Sequence, residues 1–330
     1  MSVHADQNIF FYTLPDGTIQ RQLIGFNDEI IDVALLGSTQ HTEHVALATN
    51  SPLIRIYSTE SFDARLLAGH RDIVLSLATS SSGQMLASGA KDNSARLWAQ
   101  QNNESGWVCV AVCEGHAESV GAVVFEREDV PRFLFTGSQD RTIKVWGLSG
   151  VPGEAHASTP VRCKSVSTTR AHEKDINALD SSPGGSMLVS GSQDKTAKIW
   201  AVSHPSGMLK LLGTCKGHKR GVWSVRFARG TRILATGSGD RTVRLWRLDD
   251  FSCLKVFEGH ANSVLRVDWI GSEGEHGQVV SASADGLVKV WDSRTEECVA
   301  TLDGHDDKVR ETNMIHILLL TRPPRNRSGP

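Results

Sequence analysis

The stretch Gly217 to Trp246, GHKRGVWSVRFARGTRILATGSGDRTVRLW, decides the fold. Val222 to Phe227 alternates in polarity, and a turn follows at Ala228 to Thr231. Ile233 to Gly237 reads as a second strand, Ser238 to Arg241 as a tight turn, and Thr242 to Trp246 as a third strand. A turn at Leu248 to Asp250 then leads into a fourth strand, Cys253 to Phe257. Four short strands separated by Gly, Ser and Asp turns, with no competing helical period, predict a four-stranded β unit.

The same unit recurs on both sides. Trp98, Trp146, Trp200, Trp246 and Trp291 lie 48, 54, 46 and 45 positions apart, and six positions before each stands Asp92, Asp140, Asp194, Asp240 or Asp285. A histidine precedes each aspartate by 22 to 25 positions: His70, His116, His172, His218 and His260, four of them after Gly and His172 after Ala171. A hydroxyl stands four positions before each aspartate: Ser88, Thr136, Ser190, Thr236 and Ser281. A period of this length marks a repeat architecture in which each unit buries its faces only against its neighbours.

Gly-His, a Gly-Ser-x-Asp turn and a strand ending in Trp, five times in register, resemble the WD-repeat β-propeller family. The resemblance implies an all-β, seven-bladed propeller of four-stranded repeats. It also implies a structural network in each blade, with His bonded to the hydroxyl and to Asp, and the hydroxyl to the Trp indole. Ser-His-Asp triads are the rival reading of these residues, but five copies at one repeat position are architecture rather than a catalytic site. A buried imidazole and carboxylate persist only where they satisfy each other.

The chain ends need separate treatment. A half blade is expected over residues 1–24, and six blades over about 25–303. The first of these six is degenerate, with Asn27, Ser51 and Tyr57 at the His, Asp and Trp positions. A sixth Gly-His ends at His305, so residues 304–309 are expected to start a closing strand and leave one incomplete closing blade. Residues 310–330 form a divergent tail, in which Thr312 stands where other repeats place an inward apolar residue. The tail is expected to be partly disordered.

Composition narrows the function. The 330 residues hold 35 Lys and Arg against 37 Asp and Glu, a formal net charge of −2, with 39% hydrophobic and 22% charged residues. Such a chain is neither disordered nor membrane-like, and it has no global basic field. Met314 to Leu320 is far too short to span a bilayer, and no secretory signal is expected at Met1 to Gly17. The six cysteines are expected to be reduced thiols of an intracellular protein. Cys109 and Cys113 would share one strand face. Cys113 and Cys215 lie three before their histidines, while Cys109, Cys253 and Cys298 lie seven before theirs, so the thiols are spread around the ring and no metal is expected. No phosphate-binding glycine loop, Gly-x-Ser-x-Gly elbow or His-Glu-x-x-His is present, so no catalysis, cofactor or small-molecule substrate is expected.

One local charge feature stands out. Nine basic residues fall between Lys216 and Arg247 against Asp240 alone. Lys216, Lys219, Arg220, Arg229, Arg232 and Arg241 are candidates for a surface that meets RNA phosphate or an acidic partner. The interleaved Trp223 and Trp246 read as core. The polar segment Ser149 to Ser167 reads as a long exposed loop.

Several stretches support a narrower resemblance: LLAGHRDIVLSLA (66–78), GSQDRTIKVW (137–146), AHEKDINALDSSP (171–183) and DDFSCLKVFEGHANSVLRVDW (249–269). They resemble the WD-repeat scaffolds of the nucleolar small-subunit processome, in its UTP-B subcomplex. The resemblance implies a non-catalytic scaffold supporting 18S rRNA maturation, with UTP-B-type proteins and U3 snoRNP as partners and local contact to pre-ribosomal RNA. A second resemblance competes. Trp291-Asp292-Ser293-Arg294 is similar to the box by which some WD-repeat proteins dock onto a cullin-four ubiquitin ligase adaptor, with Asp292 and Arg294 as contacts. A generic WD-repeat interaction scaffold is the third reading.

Overall fold

In a computed structural model of the chain, residues 2–4, 9–12, 19–23, 29–37, 42–59, 63–100, 106–152, 159–270, 277–303 and 309–312 are described. All regular structure among them is β; no helix occurs. Strands β1 (Ser2–His4), β2 (Ile9–Tyr12) and β3 (Ile19–Leu23) open the chain. β4 (Ile30–Gly37), β5 (Thr42–Thr49), β6 (Ile54–Ser58) and β7 (Ala64–Leu67) form the first blade. β8 (Val74–Thr79), β9 (Met85–Ala90), β10 (Ser94–Gln100) and β11 (Trp107–Glu114) form the second. β12 (Val120–Phe125), β13 (Phe133–Ser138) and β14 (Thr142–Gly147) begin the third; β15 (Val161–Arg162) leaves it, and β16 (Ser165–Arg170) completes it. The fourth holds β17 (Ile176–Ser181), β18 (Met187–Ser192), β19 (Thr196–Ser203) and β20 (Met208–Lys216). The fifth holds β21 (Val222–Phe227), β22 (Ile233–Ser238), β23 (Val243–Arg247) and β24 (Cys253–Phe257). The sixth holds β25 (Val264–Ile270), β26 (Gln278–Ser283), β27 (Val288–Asp292) and β28 (Cys298–Leu302). These are six antiparallel blades of the repeat, and their first strands pack in succession, β4 on β8, β8 on β12, and so on to β25.

A further four-stranded sheet runs β29–β1–β2–β3, with β29 at Val309–Thr312. Its first strand lies against β25 and β26 on one side and β4 on the other. The expected closing strand at residues 304–309 falls largely outside the described residues, and the strand found begins at Val309 and runs three residues into the tail. Backbone pairing explains the shift: Ser2 opposes Thr312 and Val3 opposes Glu311, and ladder bonds are indifferent to the polar side chain that argued against a strand. Residues 313–330, including Met314 to Leu320, lie outside the described residues.

Glycine sets how closely the blades approach. Gly89, Gly137, Gly191 and Gly237 each face the first strand of the next blade. A Cβ on Gly237 would lie 2.8 Å from Val264 Cγ1 and 2.9 Å from Val267 Cγ1. Val264 and Val267 are fully buried in that seam with Ala235, Val243, Leu245 and Trp291. Polar ties cross the seams nearer the axis. Asp180 Oδ2 accepts the Phe227 N–H at 2.8 Å, Asp32 Oδ2 the Leu77 N–H at 2.7 Å, and Ser224 Oγ the Val267 N–H at 3.1 Å.

Two local readings are corrected. The segment Ser149 to Ser167 is not all loop: Val161–Arg162 pairs in parallel with β11 and adds a fifth strand to the second blade. Both β15 residues are exposed, so no apolar alternation signals the strand. Cys109 and Cys113 do not share a face. Leu97 opposes Ala111 and Trp98 opposes Cys109, leaving Val110 as an extra residue. That bulge exchanges the faces, so Cys113 packs with Ala95 and Val123, and Cys109 beside Trp98 and Trp107. The fourth strand of the third to sixth blades is likewise bulged opposite its Trp.

Candidate functional site

Five blades carry the same chain of hydrogen bonds. In the fifth, His218 Nδ1 lies 2.9 Å from Asp240 Oδ2, His218 Nε2 lies 2.7 Å from Thr236 Oγ1, and the Trp246 indole donates to Thr236 Oγ1 at 2.8 Å. His70, Ser88, Asp92 and Trp98 repeat this at 2.8 to 2.9 Å. The others are His116, Thr136, Asp140 and Trp146; His172, Ser190, Asp194 and Trp200; and His260, Ser281, Asp285 and Trp291, all at 2.7 to 2.9 Å. The direction of the chain follows from donor counting. The indole only donates, the carboxylate only accepts, and the hydroxyl passes its proton to Nε2 while receiving from the indole. Every polar atom is paired when the imidazole is neutral with its proton on Nδ1.

Titration follows the same logic. Burial pushes His218 and His260 below the ordinary histidine range, against the opposing pull of Asp240 and Asp285. Burial alone would raise Asp240, but bonds from His218, the Lys219 N–H and Thr242 together hold its carboxyl well below the usual range. Asp92, Asp140 and Asp194 are held low in the same way, against burial, by bonds from their own histidines and from Ser94, Thr142 and Thr196. Each aspartate also accepts the N–H after its histidine, which ties the loop between blades to the turn inside the next blade. In the first blade Leu47, fully buried, takes the hydroxyl position, and Ser51 keeps one part of the aspartate's task by accepting the Leu53 N–H at 3.2 Å. Asn27 lies outside the described residues.

The central channel is a cavity of about 780 Å³ lined by the first strands. Asp180, fully buried, receives Arg127 Nη2 at 2.9 Å and Arg226 Nη1 at 3.2 Å. At one mouth stand Ile31, Leu75, Leu265 and Trp223. Trp223 read as core in the sequence; its side chain is 38% exposed, whereas Trp246 is 1% exposed. Trp223 follows the inward Val222 and so projects to the channel, and its indole lies over Gly239, where a Cβ would approach Nε1 to 3.1 Å. The corresponding turns of the other four network blades carry Lys91, Gln139, Gln193 or Ala284 in place of this glycine.

The basic residues do not form one patch. Successive hairpin turns lie at opposite ends of a blade, so Lys219, Arg220 and Arg241, with Lys216 at the end of β20, share the end that holds Trp223. Arg229 and Arg232 lie in the β21–β22 turn at the other end, where Arg232 pairs with Asp249. Arg226 faces inward to Asp180. Asp292 Oδ1 accepts the Arg294 N–H at 2.7 Å and the Thr295 N–H at 3.0 Å, so it caps its own turn, and Arg294 is exposed. Sequence reasoning missed Asp32, Asp180 and Asp268; the signal available was an acidic residue inside an apolar strand.

The polar groups of five blades are turned to holding the propeller together, and aromatic and basic residues gather at one channel mouth. The family model for the WD domain, G-beta repeat matches residues 63–99, 107–147, 163–201, 209–247 and 251–292, and the chain belongs to that family. It is 43% identical over 206 residues to mouse transducin beta-like protein 3, covering 61% of this chain and 25% of that protein. It is 38% identical over 201 residues to U3 small nucleolar RNA-associated protein 13 of Saccharomyces cerevisiae, covering 56% of this chain and 24% of that protein. A weaker likeness, 23% identity over 322 residues, links it to the ribosome biogenesis protein WDR12 homolog of Oryza sativa subsp. japonica. The chain thus spans about a quarter of the length of the first two relatives.

Proposed function

We propose that the chain is a non-catalytic scaffold in ribosome biogenesis, acting in the nucleolus as part of the UTP-B subcomplex of the small-subunit processome and supporting 18S rRNA maturation. The observation that carries this reading is the identity of 43% and 38%, across about 200 residues, to transducin beta-like protein 3 and to U3 small nucleolar RNA-associated protein 13. The five network blades serve stability rather than chemistry, since the same residues recur at the same place and none is left free to react. The working surface is the channel mouth at Trp223, flanked by Lys219, Arg220 and Arg241, which meets an acidic partner segment or pre-ribosomal RNA. We further propose that the sheet of β29, β1, β2 and β3 is the closing blade of a seven-bladed ring, weakened at its first strand by the divergent tail. Affinity purification of the natural protein tests the assignment. UTP-B proteins and U3 RNA should co-purify, and depletion should raise 18S precursors. A cullin-four adaptor in place of these would transfer the reading to Asp292 and Arg294, and normal precursor ratios after complete depletion would remove the processome reading.

A further inference from the structure

The only parallel pairing among the described strands brings two thiols together. β15 runs beside β11 with Val161 opposite Ala111 and Arg162 opposite Val112. The Cys163 N–H donates to the Val112 carbonyl at 2.9 Å, which extends the pairing one residue further. Cys163 therefore stands beside Cys113, and in-register residues of adjacent parallel strands project to the same face. Cys113 is 1% exposed in the cluster with Ala95, Ala111 and Val123, and Cys163, partly exposed, packs against that cluster. Neighbouring strands lie about 4.8 Å apart, and disulfides span Cα separations of roughly 4.4 to 6.8 Å, so the pair can be joined without moving the backbone far.

The two sulfurs differ in character. The neighbouring Cys113 thiol pulls Cys163 below its usual range against the effect of burial, and Cys163 together with burial pushes Cys113 up. Cys109 accepts a bond from Arg96 Nη1 at 3.6 Å, but burial outweighs it. Burial pushes Cys215 up to about 12 and raises Cys109. Cys253 and Cys298 are exposed, with their Sγ atoms directed to the Lys255 and Ala300 carbonyls.

We propose that Cys163 and Cys113 are an oxidation site whose substrate is a hydroperoxide and whose product is a disulfide clipping β15 to the second blade. The Cys163 thiolate attacks the terminal oxygen of hydrogen peroxide; an S–O bond forms, the O–O bond breaks, and hydroxide leaves and takes up a proton as water. Cys113 then attacks the sulfenic sulfur; the S–S bond forms, the S–O bond breaks, and a second water leaves. In balance, two thiols and one peroxide give one disulfide and two waters, and a cellular dithiol reverses the reaction. The consequence is local. β15 has two exposed residues and few holds besides the surface pair Arg162–Glu114 at 3.0 Å. The clip decides whether the segment between β14 and β16 stays attached to the second blade.

The test uses the whole chain, reduced, freed of reductant and treated with stoichiometric hydrogen peroxide. Non-reducing peptide mapping should find Cys113 joined to Cys163, formed before Cys253 or Cys298 is oxidised. Amide exchange across residues 159–163 should slow at least several-fold on oxidation and recover with dithiothreitol. C113S should accumulate a Cys163 sulfenic acid that dimedone traps, and C163S should form no disulfide. Circular dichroism of both serine variants should match the parent chain. Oxidation that begins at Cys253 or Cys298, or a Cys163 that dimedone labels no faster in C113S than in the parent, would overturn the proposal.

Discussion

Replacing Thr236 by valine keeps its shape and removes its hydroxyl. That hydroxyl is fully buried and joins the Trp246 indole, at 2.8 Å, to His218 Nε2, at 2.7 Å. Without it a buried donor and a buried acceptor both lose their partner. Each costs about 1–3 kcal/mol, so T236V should destabilise by about 2–6 kcal/mol, a large share of a domain stability of roughly 5–15 kcal/mol. The control comes from the chain itself, which uses Ser88, Ser190 and Ser281 at the same place. T236S keeps both bonds and loses one buried methyl, costing about 1 kcal/mol. The two variants should therefore separate clearly in urea, followed by tryptophan fluorescence and circular dichroism. In a Trp246→Phe background the valine strands only one group, and its added cost should fall to about half. If T236V unfolds at the same urea midpoint as T236S, the hydrogen-bond chain contributes nothing measurable and the packing of Trp246 alone holds the blade.

The remaining predictions can be read with the same methods. Because His218 and His260 titrate below the ordinary value of 6.5, the unfolded chain takes up protons first, so stability is full above about pH 6.5 and falls as pH drops towards the folded values. The depressed Asp92, Asp140, Asp194 and Asp240 add a second loss, beginning below about 3.8; midpoints measured from pH 8 to pH 3 should fall in both windows, and H218Q should flatten the upper one. G237A places a methyl 2.8 Å from Val264 Cγ1 and should cost about 1–3 kcal/mol, partly restored by V264A; an unchanged urea midpoint would mean that the seam relaxes freely. Charge reversal at Lys219 and Arg220 should weaken assembly into processome particles, and the deficit should shrink as salt screens the contact, whereas reversal at Arg229 should leave assembly within twofold.

How much of this was legible depended on which physical signal each feature leaves in a sequence. The strands of the fifth blade can be placed to within a residue because alternation and turn residues are both present; Val222–Phe227 and Cys253–Phe257 coincide with the reading. The network positions were visible because repetition exposes them even when no single copy would. β15 was hidden because a two-residue strand exposed on both faces needs no apolar residue. The faces of Cys109 and Cys113 were misread because a bulge changes parity without changing composition. The basic cluster was misread as one surface because charge counting along the chain ignores that successive turns lie at opposite ends of the sheet. Trp223 was misread because the space that frees it is set by Gly239, a residue in the β22–β23 turn, sixteen positions away.

The carboxylates on the first strands carry the same reasoning to the sheet that holds both chain ends. Asp180 and Asp268 occupy the same position, four residues after Ile176 and Val264. Asp180 faces a complete blade, and its Oδ2 accepts the Phe227 N–H, five residues after Val222. Asp268 Oδ2 is buried with no hydrogen-bond partner among the described residues, although Oδ1 accepts the Trp269 N–H and lies 3.9 Å from Arg226 Nε. A buried carboxylate oxygen without a partner costs more than the bond it lacks. Among the described residues the seam at β25 therefore has one polar tie fewer than the seam at β17.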